Sequence, residues 1–322
     1  MYVHLLRSTS PEAIEVLHSK LDQNIILSTG EVQEGHRETT LLIAGRPDRE
    51  EVSFFPVLQT LIVPWIGIPP ETLALVREFP NLALHNLHHN AGSTAEMAVA
   101  LLLAAAKRII PFDQALRAND WRLRYQRPAE VILLAGKKAL ILGYGEVGRR
   151  IGTSLESMGV HVVFISRSGE AEGEATVYPV SSLAELLPDA DFLILALPFT
   201  PETEGLIGEK ELRMLPASSV LVNVARGKII EESALYQALH DRWIFGAGLD
   251  VWFNYPGTEE ERSSTPPGEY PWHTLDNVVL SPHRAGHVRE TEILRMRALA
   301  ELLNEAARGL PISNQVDLDL GY

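Results

Sequence analysis

A short apolar run, K-A-L-I-L from Lys138, passes directly into Gly143-Tyr144-Gly145-Glu146-Val147-Gly148 and then into the helix-like stretch EVGRRIGTSLESMG. No other feature restricts the fold as strongly. The first glycine permits a tight turn after a strand, the second lets a pyrophosphate approach the backbone, and the third lets helix and strand pack closely. Amides at the start of the helix then face the phosphates. The turn therefore assigns Gly143, Tyr144, Gly145, Glu146, Val147 and Gly148 to a dinucleotide site.

Around this turn the chain alternates strand-like and helix-like stretches. Strands are expected at Tyr2–Leu6, Asn24–Leu27, Thr40–Ile43, Thr60–Val63 and Leu82–Asn86, with helices at Pro11–Leu21 and Pro70–Arg77, each opening on proline and an acidic residue. A long helix is expected over Ser93–Arg117, with Ser93 and Glu96 spaced as a capping box. A second series places strands at His161–Ser166, Asp191–Ala196, Ser219–Val224 and Ile244–Val251, and a last helix at Val288–Ala307. The segment Tyr255–Pro271, acidic and rich in proline, glycine and serine, is too long for a simple connector.

This pattern predicts an α/β protein of two doubly wound parallel-sheet domains, Rossmann-like and flavodoxin-like, with an active-site cleft between them. A chain of 322 residues with 46% hydrophobic content suffices for two cores. The substrate domain is expected to comprise residues 1–92 plus 288–322, and the dinucleotide domain residues 93–287.

Composition removes several functional classes. A formal charge of −14 disfavours nucleic acid as a partner, because affinity for it comes from clustered Lys and Arg. With no cysteine there is no disulfide, thiolate nucleophile or zinc–sulfur centre. The apolar run Met97–Ala106 is about half the length of a membrane span, and the first residues do not read as a signal peptide. A cytoplasmic protein without a membrane partner is expected. His85, His88 and His89 form H-x-x-H-H, but nothing nearby completes a ligand set, so no metal site is assigned.

After the next strand, where a carboxylate would bind the ribose hydroxyls of NAD, the sequence reads Ser166-Arg167-Ser168. Two hydroxyls and a guanidinium suit a 2′-phosphate, so NADP is favoured, with NAD still accommodated.

Further motifs stand in the order found in the D-2-hydroxyacid dehydrogenase family, which the chain resembles over nearly its whole length. They are Thr94-Ala95-Glu96, L-P-F-T-P-E-T from Leu197, N-V-A-R-G from Asn223 and S-P-H from Ser281. The resemblance implies an NAD(P)-dependent enzyme that moves a hydride between nicotinamide and a 2-oxo or 2-hydroxy acid. It also implies a homodimer built through the long helical region, which the apolar run Met97–Ala106 would suit. Arg226 matches the arginine that binds the substrate carboxylate and carbonyl, and His283 the acid/base histidine. Asp250 matches the residue that positions the nicotinamide carboxamide. Pro198, Thr203 and Ala225 join the cofactor-facing set. Ile66 and Gly67 match the turn whose amides hold the substrate carboxylate, with Pro69 in place of the usual aspartate.

One departure bears on mechanism. Where the family carries a glutamate that supports the protonated histidine, this chain has Tyr255. A neutral phenol cannot supply that charge, so a weaker acid arm of the pH profile is expected unless Glu259, Glu260 or Glu261 folds back to substitute. The same stretch, D-V-W-F, resembles the formate dehydrogenase branch, in which Asn90 matches a substrate-binding asparagine; formate oxidation is thus a lesser alternative. Trp65, Trp252, Phe253 and Tyr255 would either line an apolar substrate pocket or pack as ordinary core. A nucleotide-binding sensor or scaffold with feeble catalysis is the alternative from a different functional class.

Overall fold

The computed structural model describes residues 1–7, 9–127, 130–171 and 173–322. The chain divides into two compact units, Met1–Asn90 with His287–Tyr322, and Ala91–Gly286.

The first unit is built from β1 (Tyr2–Leu5), α1 (Pro11–Lys20), β2 (Ile26–Thr29), β3 (Leu41–Ile43), α2 (Arg49–Ser53), β4 (Thr60–Val63), α3 (Pro70–Val76) and β5 (Ala83–Asn86). Its sheet is parallel in the order β2-β1-β3-β4-β5, the flavodoxin-like order. Every residue of β4 is buried, as a strand covered on both faces requires. The helix starts follow from local chemistry. Ser10 Oγ accepts the Ala13 amide at 3.3 Å ahead of Pro11. Asp48 and Glu51 form a reciprocal capping box with both bonds at 2.8 Å. The second strand begins two residues later than the sequence pattern places it, because Asp22–Ile25 closes as a turn in which the Ile25 amide donates to the Asp22 carbonyl.

The second unit contains α4 (Ala91–Ala106), α5 (Ile109–Arg117), α6 (Arg122–Tyr125), β6 (Lys138–Leu142), α7 (Glu146–Ser157), β7 (His161–Ser166), β8 (Val177–Pro179), α8 (Leu183–Leu186), β9 (Phe192–Leu195), α9 (Glu209–Met214), β10 (Val220–Asn223), α10 (Glu232–His240), β11 (Gly246–Leu249) and β12 (Val278–Leu280). The seven strands run parallel in the order β12-β11-β10-β9-β6-β7-β8. Outward from β6 this is the Rossmann order with one strand added, and its direction of winding reverses between β6 and β9. The closing helix, α11 (Thr291–Ala307), belongs to the first unit and packs on α1.

Three expectations about the helical region are corrected. The single helix over Ser93–Arg117 is two helices, because Arg108 takes a left-handed φ of 53° and ends the first. Ser93 lies inside the first turn of α4 and so cannot cap it; Asn90, a favoured N-cap residue type, stands just before the helix. The run Met97–Ala106 is largely internal to its own unit, with Ala98, Leu102 and Ala106 fully buried. It packs on β10, β11 and α7. Close approach here depends on Gly248 in β11, where a Cβ would stand 2.7 Å from Leu101 Cβ.

Candidate active site

In the second unit, every residue singled out for chemistry stands at the carboxyl end of a strand. The glycine turn follows β6, Ser166 ends β7, Pro198 follows β9, Ala225 and Arg226 follow β10, Asp250 follows β11 and His283 follows β12. Open α/β sheets bind ligands outside these ends, at the point where the winding reverses.

The glycine turn is tight for steric reasons. Gly143 has φ +112°, and a Cβ there would meet the Ala196 carbonyl oxygen at 2.2 Å. A Cβ on Gly148 would fall 2.0 Å from the Gly143 oxygen, whereas one on Gly145 would meet nothing within 4 Å. The open space over Gly145 fits the cradle a pyrophosphate needs. Glu146 opens α7 and pairs with Arg149 at 2.6 Å and Arg150 at 3.4 Å. Tyr144 packs edge-on against Phe164 at 4.9 Å, beneath the Arg149 guanidinium. Val147, like Tyr144, packs against the core of buried residues.

At the end of β7, Ser166 Oγ accepts the Gly169 amide at 3.0 Å and Ser168 Oγ accepts that of Glu170 at 3.2 Å, which curls the turn and leaves Arg167 exposed. Thr203 closes the L-P-F-T-P-E-T loop by donating to the Pro198 carbonyl at 2.9 Å and accepting the Thr200 amide at 2.8 Å.

Arg226 is set by Asn223, a buried residue that the sequence reading left out although it opens the same motif. Its Oδ1 accepts the Ala225 amide at 3.0 Å and its Nδ2 donates to the Arg226 carbonyl at 2.9 Å. The side chain of Arg226 reaches solvent, yet the protein mass around it holds the guanidinium below its ordinary pKa, with Tyr255 opposing. Gly227 presses on the next strand's loop, where a Cβ would stand 2.2 Å from the Trp252 oxygen.

His283 has a left-handed φ of 57° and sits in a turn closed by its own amide on the Ser281 carbonyl at 3.0 Å. Asp250 holds that turn from beneath. Its Oδ1 accepts the Ser281 hydroxyl and the Arg284 amide at 2.8 Å, and its Oδ2 accepts the Ala285 amide at 2.9 Å. Asp250 is 0% exposed, so the structure gives this carboxylate to the histidine loop and leaves it no open surface toward a carboxamide. Ser281, the residue that links Asp250 to the histidine, was legible only as part of S-P-H.

Tyr255 occupies the place of the missing glutamate. Its hydroxyl lies 3.0 Å from His283 Nδ1 and accepts the Trp252 amide at 3.0 Å. The acidic residues beyond it are turned to their own loop: Glu261 accepts the Gly257 amide at 2.7 Å, and Glu259 pairs with Arg262 at 2.8 Å. Of the four aromatics, three are engaged in packing. Trp252 is buried with its indole on the Ser281 carbonyl at 2.7 Å, Phe253 stacks on Trp272 at 6.0 Å, and the Trp65 ring lies over Gly45.

In the first unit, Ile66 and Gly67 lie beyond the carboxyl end of β4, where Asn86 Nδ2 donates to the Ile66 carbonyl at 2.7 Å. Asn90 lies beyond the end of β5. His85 Nδ1 donates to the Ser313 carbonyl at 3.0 Å, and among the described residues no three metal-ligating side chains are grouped.

A reversing parallel sheet with a glycine turn at the reversal defines a dinucleotide-binding class. The chain matches the family model for the D-isomer specific 2-hydroxyacid dehydrogenase NAD binding domain over residues 99–285, and it belongs to that family. A glyoxylate reductase from Aeropyrum pernix is 37% identical over 233 residues, which cover 71% of this chain and 67% of the relative. One from Thermococcus gammatolerans is 36% identical over 196 residues, 59% of this chain and only 56% of the relative's length. Among solved structures, a D-isomer specific 2-hydroxyacid dehydrogenase from Xanthobacter autotrophicus in complex with NADPH and MES aligns over 100% of this chain and 99% of that one, with TM-score 0.81 and 24% identity.

Proposed function

We propose that this protein is a reductase of 2-oxo acids that forms the D-hydroxy acid with NADPH as the preferred cofactor. The observation that carries the reading is the presentation of Arg226 and His283 at the carboxyl ends of β10 and β12, the two neighbours of β11, in a sheet whose glycine turn fits a dinucleotide. Bound nicotinamide supplies the hydride. Arg226 grips the substrate carboxylate and polarises the carbonyl as a fixed, always-charged fork. His283 delivers a proton to the carbonyl oxygen as charge develops there, and takes it back in the reverse reaction. Ile66, Gly67 and Asn90, beyond the carboxyl ends of β4 and β5, are the first unit's candidates for substrate contacts. Ser166, Arg167 and Ser168 favour the 2′-phosphate through two hydroxyls and a cation, with no carboxylate among the three to repel it. The NADPH complex of the Xanthobacter relative supports that preference. Replacement of His283 by Ala lowers kcat by about 10²–10⁴-fold, the range of general acid–base catalysis. Turnover unchanged in that variant would overturn the assignment.

A homodimer is part of the proposal, through a surface other than Met97–Ala106. Ile109, Leu116, Trp121, Tyr125 and Leu133 are 50%, 50%, 60%, 73% and 69% exposed, large apolar side chains of the kind a subunit contact covers. Sedimentation should show a dimer that dissociates on Leu116→Asp; a monomer at micromolar concentration contradicts it.

A further inference from the structure

Tyr255 is 46% exposed, but its hydroxyl is turned to Trp252 and His283. A phenol has one hydrogen to give and two lone pairs to receive. One lone pair is taken by the Trp252 amide at 3.0 Å, which leaves the hydrogen and one lone pair for His283 Nδ1 at 3.0 Å. Both partners sit on one frame. Trp252 is tied through its indole to the Ser281 carbonyl, and Asp250 holds Ser281, Arg284 and Ala285. Burial pushes the phenol above its ordinary pKa, so it keeps its hydrogen through the neutral range.

We propose that Tyr255 is a positioning residue for His283, not a substrate contact: its oxygen accepts Nδ1–H of the ring and so leaves Nε2 to give the proton and take it back. The same lone pair serves the protonated and the neutral ring, since both carry a hydrogen on Nδ1. A carboxylate in this place accepts only; it keeps the hydrogen of the neutral ring on Nδ1 and favours the charged form. A phenol holds the same hydrogen on Nδ1 without the charge, and the ring keeps one orientation in both proton states. The inference rests on His283 as the acid/base group.

Two readouts test it, and the first needs neither substrate nor cofactor. Nitrogen NMR of histidine-labelled protein, with the His283 signals identified by their loss in His283→Gln, should show a neutral ring with Nδ1 protonated and Nε2 as acceptor. A neutral ring protonated at Nε2 overturns the proposal whatever the enzyme's substrate. The second readout is Tyr255→Phe, which keeps the ring and removes only the oxygen. It should lower kcat by about tenfold, less than loss of the acid itself, with KM nearly unchanged. A rise in KM at constant kcat would make Tyr255 a substrate contact and refute the positioning role.

Discussion

At the scale of single residues, the site's chemistry turns on one exchange, a phenol where relatives in the family carry a carboxylate. A carboxylate beside an imidazole stabilises the imidazolium, whereas a phenol is neutral. The proposed reduction needs the protonated ring, so its rate would fall as pH rises through the histidine's titration. Tyr255→Glu supplies the missing charge and is expected to carry that limb of the pH–rate profile to higher pH; a limb that stays where it was in the parent protein contradicts the account. The sequence alone showed that the glutamate was absent. It did not show what replaced it, because the partners of Tyr255 are a backbone amide and a turn held 28 residues away in the chain. Asp250 teaches the same lesson. Its motif was readable, but its three donors lie at 281–285, and only the fold shows that the carboxylate serves the histidine loop.

At the scale of elements, that loop is the most sensitive piece of the site. Asp250→Asn turns one accepting oxygen into a donor facing buried donors. An unsatisfied buried group costs about 1–3 kcal/mol, so the variant should melt at lower temperature and also lose activity, since the turn carrying His283 loosens with it. Full stability and activity in the variant would mean that the loop is held by something else. Periodicity and glycine spacing made most of the elements legible: strands buried on both faces read as apolar runs, and the helices opening at Pro11 and Pro70 begin where proline signals them. The break between α4 and α5 was hidden because Arg108, a good helix former, adopts φ 53° while paired with Glu130 and Asp276, and such pairing is a tertiary fact. Strands β8 and β12 span three residues each, too short for an alternation to register.

At the scale of the whole molecule, the two units should respond differently to acid. His4, His85 and His89 all belong to the first unit, and burial is the largest cause lowering the pKa of each, for His89 to about 4. Arg295, His287 and His88 lower His89 further, and Glu292 opposes them. The unfolded chain binds these protons near the ordinary value of 6.5, whereas the folded unit resists them. Stability from these groups is therefore complete above pH 6.5 and is lost as pH falls toward 4. Hydrogen exchange in β1–β5 should accelerate over that window and do so less in His89→Gln; identical pH slopes would contradict the assignment. Function at this scale rests on the pairing of a dinucleotide turn with Arg226 and His283. It is tested most directly by following oxidation of NADPH and of NADH across a panel of 2-oxo acids, from glyoxylate and hydroxypyruvate to phenylpyruvate, with His283→Ala beside the parent protein. The account predicts turnover that prefers NADPH and collapses in the variant. Binding of both cofactors with no turnover on any acid would contradict it and leave a nucleotide-binding sensor in its place.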